Sequence, residues 1–214
     1  MTRTSSSARG LAALGAGLVA ALLFALRAAV PTSASAVTLP DPIVDQAVAA
    51  KPGQQTIVLA GGCFWGVQAV FQHVKGVVSA TSGYAGGKAG DTNYEEVSTG
   101  TTGHAESVRI VFDPSKLSYA DLLEKWFFRM HDPTTKNRQG NDVGSQYRSA
   151  IFVTSPAQRK IAEEAKAHAA KSGRWKNPIV TEIVDAGAWT PAESNHQDYL
   201  QKNPGGYTCH YLRD

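Results

Sequence analysis

The chain has 214 residues, 43% of them hydrophobic, and a formal net charge of +3 at pH 7. This length and composition indicate one globular domain with appendages, and they exclude a collagen-like or disordered chain. Residues 1–36 carry Arg3, Arg9 and Arg27 without an acidic residue, so the remainder is formally neutral. A neutral domain lacks the basic surface that nucleic acids and anionic membranes require, so we expect a small-molecule or protein partner.

The N-terminal segment has the pattern of a secretory signal peptide. Basic residues precede an apolar run over residues 11–26, and Ala34-Ser35-Ala36 follows as a small-residue cleavage site. The run is short for a membrane span, which needs about 20 residues, but an uncleaved N-terminal anchor is the alternative. We therefore expect an exported protein, periplasmic or secreted, with a signal peptide or anchor at 1–36, a linker at 37–54 and the folded domain at 55–214.

Beyond residue 55, short apolar runs alternate with segments of helical periodicity. The first six predicted elements run strand, helix, strand, strand, helix, strand. This is the order of a ferredoxin-like (split β-α-β) core, so we expect an α+β, two-layer α/β sandwich with an extra strand and helix and a long coiled C-terminal tail. A glycine-rich loop reaching Gly100 follows the second strand. The predicted strands are Thr56–Ala60, Val77–Tyr84, Ala105–Phe112, Tyr147–Val153 and Ile179–Val184, and the predicted helices are Cys63–Gln72, one opened by Ser118, and one from Ser155 to near Gly173.

Cys63 follows a strand and two glycines, at the expected first turn of a helix. Backbone N–H groups at a helix N-terminus favour negative charge, so we expect a stabilised, nucleophilic thiolate there. The other cysteine is Cys209, and in an exported protein the alternative is one structural disulfide between the two. The histidines do not have zinc-ligand spacing, so we expect no metal site.

Glu106 lies in a predicted strand on the same face as Val108, Ile110 and Phe112. A carboxyl group on an apolar face has a raised pKa and can donate a proton near pH 7. The alternative is that Glu106 lies at a frayed strand start and reaches water.

Polar residues in turn-prone segments supply further candidates. Tyr94, Asp142 and Tyr147 lie in or beside Gly-rich sequence, where tyrosine hydroxyls can hold an oxygen atom by hydrogen bonds. His104 and His196 are candidate partners for Cys63, although their spacing places neither beside it.

Taken together, these segments resemble the A-type peptide methionine sulfoxide reductases over about residues 55–212. The matching pieces are G-G-C-F-W-G at 61–66, T-S-G-Y-A-G-G at 81–87, N-Y-E-E-V at 93–97, T-G-H-A-E at 102–106, H-D-P at 131–133, R-Q-G-N-D-V-G-S-Q-Y-R-S-A at 138–150 and N-H-Q-D-Y-L-Q-K-N-P-G-G-Y-T-C-H at 195–210.

The resemblance implies a role for each candidate residue. It implies that Cys63 attacks the sulfoxide, that Glu106 supplies a proton and that Cys209 resolves the product as a Cys63–Cys209 disulfide. The substrate-binding residues it implies are Phe64 and Trp65 around the S-methyl group, Tyr94 and Tyr147 at the oxygen, and Asp142 as a polar neighbour.

The same resemblance implies partners and selectivity. The substrate is (S)-methionine sulfoxide, free or in proteins, and an external dithiol of thioredoxin type reopens the disulfide without a metal or organic cofactor. We expect a monomer. The competing interpretations are a non-catalytic exported binding module with a permanent Cys63–Cys209 disulfide and a Cys-His hydrolase or transferase, whose signatures are missing.

Overall fold

The computed structural model describes residues 53–88 and 92–212. The predicted leader at 1–36 and nearly all of the predicted linker at 37–54 lie outside the described residues. Among the helices that are described, none combines the length and apolar character needed to cross a membrane.

The described elements alternate between strands and helices. The strands are β1 Gln55–Gly61, β2 Val77–Ala85, β3 Ala105–Phe112, β4 Arg138–Gln139, β5 Asp142–Val143, β6 Ser149–Val153, β7 Glu182–Asp185 and β8 Trp189–Pro191. The α-helices are α1 Phe64–Gln72, α2 Tyr94–Ser98, α3 Tyr119–Asp121, α4 Phe128–Met130, α5 Pro156–Lys171 and α6 Tyr199–Lys202. A π-helical turn, Leu122–Phe127, joins α3 to α4, and Ser145–Tyr147 and Ser194–His196 are 3₁₀ turns.

Six of these strands form one sheet in the order β7-β6-β1-β3-β2-β8. Every neighbouring pair is antiparallel except β6 and β7, which are parallel. Strands β4 and β5 form a separate two-stranded ribbon. The mixed sheet with its helices confirms the predicted α+β class.

The main core joins the helices to one face of this sheet. Val67 and Phe71 of α1 and Ala162 of α5 belong to the same buried cluster as Ile57 and Ile110 of the sheet. A smaller cluster covers the opposite face and is composed of Val58, Ala60, Ala85, Ala105, Ala150 and Phe152. The loops at one end of β1 and β3 are therefore held by a rigid, close-packed layer.

Several predicted boundaries need correction. The predicted strand Tyr147–Val153 starts only at Ser149, because Ser145–Tyr147 forms a 3₁₀ turn. The predicted strand Ile179–Val184 is replaced by β7, which pairs with β6 only from Glu182 onward. Strand β8 and helix α2 were not predicted, since each is short and lacks a periodic apolar pattern.

The C-terminal region is anchored to the sheet by side-chain amides. The Gln197 side chain accepts from Ser82 N–H (3.0 Å) and donates to the Ser82 and Ala192 carbonyls (2.9 and 3.0 Å), in the manner of an added strand. Gln72 donates to the Asp198 carboxylate at 2.7 Å and fixes the region on α1. Residues 192–202 are thus part of the folded body, and the coiled tail continues after them.

Candidate active site

Cys63 lies in the tight connection between β1 and α1. Gly62 has φ +105°, and a Cβ there would lie 2.6 Å from the Gln139 side chain, so only glycine fits the turn. Cys63 occupies the N-cap position of α1, which begins at Phe64 as predicted to within one residue. Cys63 is only 6% exposed, so its side chain is nearly enclosed in this conformation.

Glu106 is buried directly behind this turn. Its Oε2 accepts a hydrogen bond from Phe64 N–H at 2.9 Å, the first N–H of α1. Its strand neighbours Val108, Ile110 and Phe112 all enter the main core, so the predicted face is confirmed and the frayed-end alternative is wrong. Burial raises the pKa of the Glu106 carboxyl from 4.5 to about 8, against the lowering effect of the Phe64 N–H bond.

The expected resting thiolate at Cys63 is not what the structure supports. Burial and then the negative charge of Glu106 raise the pKa of the Cys63 thiol above its ordinary value, and a hydrogen bond from the Trp65 backbone lowers it by less. Desolvation therefore outweighs the helix N-terminus. The resting site holds a neutral thiol beside a carboxyl that is largely neutral near pH 7.

Two tyrosines and an aspartate converge on the same point. Burial raises the pKa of Tyr94 and of Tyr147, and in both cases Glu106, Cys63 and Asp142 lie close enough to raise it further. Tyr94 begins α2, and Tyr147 ends the 3₁₀ turn before β6. The fold thus gathers residues from four separate segments around Cys63.

Aromatic rings line the side of the site next to α1. Phe64 is fully buried and its ring lies 6.4 Å from that of Tyr94. Trp65 stacks on Tyr199 at 3.7 Å, and its indole N–H donates to His196 Nδ1 at 3.1 Å. The predicted pair Phe64 and Trp65 therefore belongs to one aromatic cluster with residues of the C-terminal region.

The second thiol lies on the tail, above the loop that carries Cys63. Cys209 Sγ is 3.5 Å from Asp142 Oδ2, and Tyr207 donates its hydroxyl to Asp142 Oδ1 at 3.0 Å. Burial and the Asp142 charge raise the pKa of Cys209 to about 12, while a hydrogen bond from the Cys63 backbone opposes the rise. Both cysteines are free, so the structure represents the dithiol form.

His210 fixes the end of this tail. Its Nε2 lies 2.8 Å from the Gly61 carbonyl oxygen, at the end of β1. Thr208 and His210 pack so closely against Gly66 of α1 that a Cβ there would overlap both side chains. The tail therefore covers the β1–α1 turn.

Sequence reasoning missed several residues of this region. The residues that contact the site and were not singled out are Tyr84, Glu193, Tyr199, Tyr207 and His210. All but Glu193 lie within the matching motifs, which was their only sequence signal, whereas Glu193 lies two positions before the last motif. Of the two histidines considered, His196 joins the aromatic cluster, while His104 contacts Gly87 N–H and Lys88 O outside it. In residues 53–88 and 92–212, no group of three His, Cys, Asp or Glu side chains is placed to hold a metal ion.

A neutral carboxyl, two hydroxyls and two thiols beside one aromatic cluster define a thiol-based redox enzyme. The protein-family model described as peptide methionine sulfoxide reductase matches residues 55–214. The chain belongs to the peptide methionine sulfoxide reductase family.

Individual relatives agree with this assignment. Peptide methionine sulfoxide reductase MsrA 1 of Mesorhizobium japonicum is 52% identical over 73% of this chain and 88% of its own length. MsrA of Mycolicibacterium paratuberculosis is 50% identical over 74% of this chain and 90% of its own length. Among solved structures, reduced Mxr1 from Saccharomyces cerevisiae has a TM-score of 0.74 at 36% identity and covers 80% of this chain and 99% of its own. Methionine sulfoxide reductase A of Corynebacterium diphtheriae has a TM-score of 0.64 at 37% sequence identity, and the match covers 79% of this chain and 88% of that one.

The protonation state of Glu106 predicts how stability depends on pH. Because the folded-state pKa is about 8 and the unfolded value is 4.5, the folded state binds the extra proton between them. The stabilising contribution is complete below pH 4.5 and is lost as pH rises to about 8, by up to roughly 1.4 kcal/mol per pH unit. Urea unfolding from pH 5 to 8 should show this loss for the wild type relative to Glu106→Gln. Parallel pH profiles for the two proteins would show that Glu106 ionises normally.

Proposed function

We propose that the protein reduces methionine sulfoxide, free or within proteins, to methionine, and so repairs oxidised proteins. Family membership supports this activity. The observation that carries the mechanism is the neutral, buried Glu106 carboxyl next to the Cys63 turn, joined to Phe64 N–H. A proton donor and a thiol in one dry pocket are what removal of a sulfoxide oxygen requires, because that oxygen leaves only when protonated.

In the first step, Cys63 attacks the sulfoxide sulfur. The oxygen takes up the proton of Glu106, and Glu106 recovers the proton of the Cys63 thiol, so the carboxyl acts as a relay. Tyr94 and Tyr147 donate hydrogen bonds that offset the charge developing on oxygen. Phe64 and Trp65 receive the S-methyl group, and Asp142 completes the polar side of the site. Oxygen moves from the substrate to Cys63, which yields methionine and a sulfenic acid and leaves total protons unchanged.

In the second step, the Cys209 thiol attacks the sulfenic acid, which releases water and forms the Cys63–Cys209 disulfide. A dithiol of thioredoxin type then exchanges with this disulfide and becomes oxidised itself. This cycle uses protein thiols throughout, so we infer that it needs neither a metal nor an organic cofactor. The position of Cys209 beside Asp142 and the Cys63 backbone supports its resolving role.

The competing binding module would hold a permanent Cys63–Cys209 disulfide. The redox cycle is favoured instead by the family match and by the position of Cys209 beside Asp142 and the Cys63 backbone. From the family resemblance we also infer selectivity for the S epimer, and we propose that the protein acts as a monomer.

We further infer that the domain has a ferredoxin-like core. The four strands β6, β1, β3 and β2 are neighbours in that order and pair antiparallel, which supports the split β-α-β arrangement.

We also propose that the protein is exported and that residues 1–36 are its signal peptide or anchor. The basic start, the apolar run and the small-residue site support this location. An oxidising compartment requires a local source of dithiol, so a membrane-fed thioredoxin-like protein would serve as the reductant. Fractionation with mass spectrometry of the N-terminus should find the chain outside the cytosol. Recovery of the full-length chain in the cytosol would contradict export.

Replacement of each of the two cysteines should affect the reaction in a different way. Cys63→Ser removes the nucleophile and should abolish methionine formation from methionine sulfoxide. Cys209→Ser removes only the resolving thiol, so it should form about one methionine per protein molecule and then stop with thioredoxin as reductant. Quenched-flow measurement of methionine, with intact-mass analysis of the protein, distinguishes the two.

Specific outcomes would contradict these assignments. Appreciable turnover by Cys63→Ser would show that Cys63 is not the nucleophile. Full thioredoxin-driven turnover by Cys209→Ser would show that Cys209 is not needed for recycling.

Glu106→Gln tests the proton relay directly. The amide keeps the size of the side chain and can accept from Phe64 N–H, but it cannot transfer a proton. We expect the single-turnover rate of sulfoxide reduction to fall roughly 10²-fold or more. Glu95→Gln, an exposed carboxylate on α2, is the matched control and should leave the rate unchanged. An unchanged rate for Glu106→Gln would exclude protonation by this residue.

A further inference from the structure

Glu193 joins two parts of the site through a single carboxylate. One oxygen, Oε2, accepts the Tyr84 hydroxyl at 2.7 Å, and the other, Oε1, accepts the Tyr94 backbone N–H at 2.8 Å. The residue lies two positions after the end of β8, within the C-terminal region that is anchored on the sheet. Each oxygen thus has its own donor, and the donors come from β2 and from the start of α2.

The same segment also holds the ring of Tyr94. The Glu193 carbonyl accepts His196 N–H at 2.9 Å and closes the 3₁₀ turn, which places the His196 ring 4.2 Å from the Tyr94 ring. Helix α2 has only five residues, and such a short helix is marginal without tertiary contacts. The backbone and the ring of Tyr94 are therefore both fixed by residues 193–196.

The hydrogen bond between the Glu193 carboxylate and Tyr84 ends next to Glu106. Tyr84 is fully buried and lies directly opposite Glu106 in the register of β2 and β3, so the two side chains are neighbours on one face. The Glu193 carboxylate therefore connects two elements. One is β2, which lies beside Glu106, and the other is α2, which carries the Tyr94 hydroxyl.

We propose that Glu193 is a positioning residue for sulfoxide reduction, which fixes the Tyr94 hydroxyl relative to the Glu106 carboxyl. This inference rests on the proposed function. The Glu193 carboxylate accepts hydrogen bonds from Tyr84 and Tyr94, and Glu193 acts on the site through these two residues. A misplacement of an oxygen-binding group by about 1 Å can lower the reaction rate by up to roughly 10²-fold. Loss of the Glu193 hydrogen bonds should therefore slow the reduction of the sulfoxide.

The test is a double-mutant cycle on the single-turnover rate constant and KM for methionine sulfoxide. Glu193→Ala should lower kcat/KM roughly tenfold or more. In a Tyr94→Phe background the same change should have less than about a twofold effect, because the positioned hydroxyl is already gone. Glu193→Gln should recover activity to within about threefold, since its amide oxygen accepts from Tyr94 N–H and its NH₂ donates to Tyr84.

Control variants separate positioning from stability. Glu95→Ala removes a carboxylate from α2 that is exposed, and it should stay within about twofold of the wild type. If Glu193→Ala fails to fold by calorimetry, Glu193→Asp replaces it in the cycle. Its carboxylate is one methylene too short to hold both donors, so the same loss and the same dependence on Tyr94 are expected.

Three results would overturn the inference. The first is an equal loss in the wild-type and Tyr94→Phe backgrounds, which indicates general destabilisation. The second is a rate for Glu193→Ala within twofold of the wild type. The third is a loss for Glu193→Gln as large as that for Glu193→Ala. These results all require an active wild type, whereas an inactive wild type would refute the proposed function first.

Discussion

The buried carboxyl of Glu106 is the constraint around which the rest of the site is arranged. A rise in pKa from 4.5 to about 8 corresponds to roughly 5 kcal/mol of preference for the neutral form. A single hydrogen bond from Phe64 N–H does not reverse that preference, because burial is the larger effect. The same dry surroundings raise the pKa of the Cys63 thiol, so burial favours the protonated form of both groups, which fits a proton relay between them better than a preformed thiolate.

The closed tail sets a second constraint. Cys63 is 6% exposed, and Tyr207, Cys209 and His210 lie over its turn, so the proposed reaction would require this segment to give the sulfoxide access to the sulfur. Residues 192–202 are fixed by Gln197 and Asp198, and the chain then turns at 203–206, where Gly205 has φ +83°. Beyond this turn the tail is held by the polar contacts of Tyr207, Cys209 and His210, whereas the aromatic cluster of Trp65, His196 and Tyr199 does not include it.

Local patterns predicted the elements that carry the chemistry. The apolar alternation of β3 located Glu106 on the core face, and two glycines before a helical pattern located Cys63 at a helix start. The electrostatics of Cys63 were not predictable in this way, because desolvation depends on what covers the turn, and the cover comes from residues 207–210. Helix α2 and strand β8 were not predicted from the sequence for a related reason. Each is held by distant partners, such as Glu193 on Tyr94 and β2 on β8, and has no periodicity of its own.

The tail that covers the Cys63 turn also carries the thiol that, in the proposed cycle, condenses with the sulfenic acid. A sulfenic acid oxidises further unless a thiol condenses with it, so its lifetime depends on how soon the second thiol returns. Asp142 contacts both Cys209 and Tyr207 in the closed dithiol form, and it also lies near Tyr94 and Tyr147. In the proposed cycle, a substrate held by Tyr94 and Tyr147 would therefore compete with the tail for the surroundings of Asp142. Release of methionine would vacate that space while Cys63 carries the oxygen, and this would allow the tail to return.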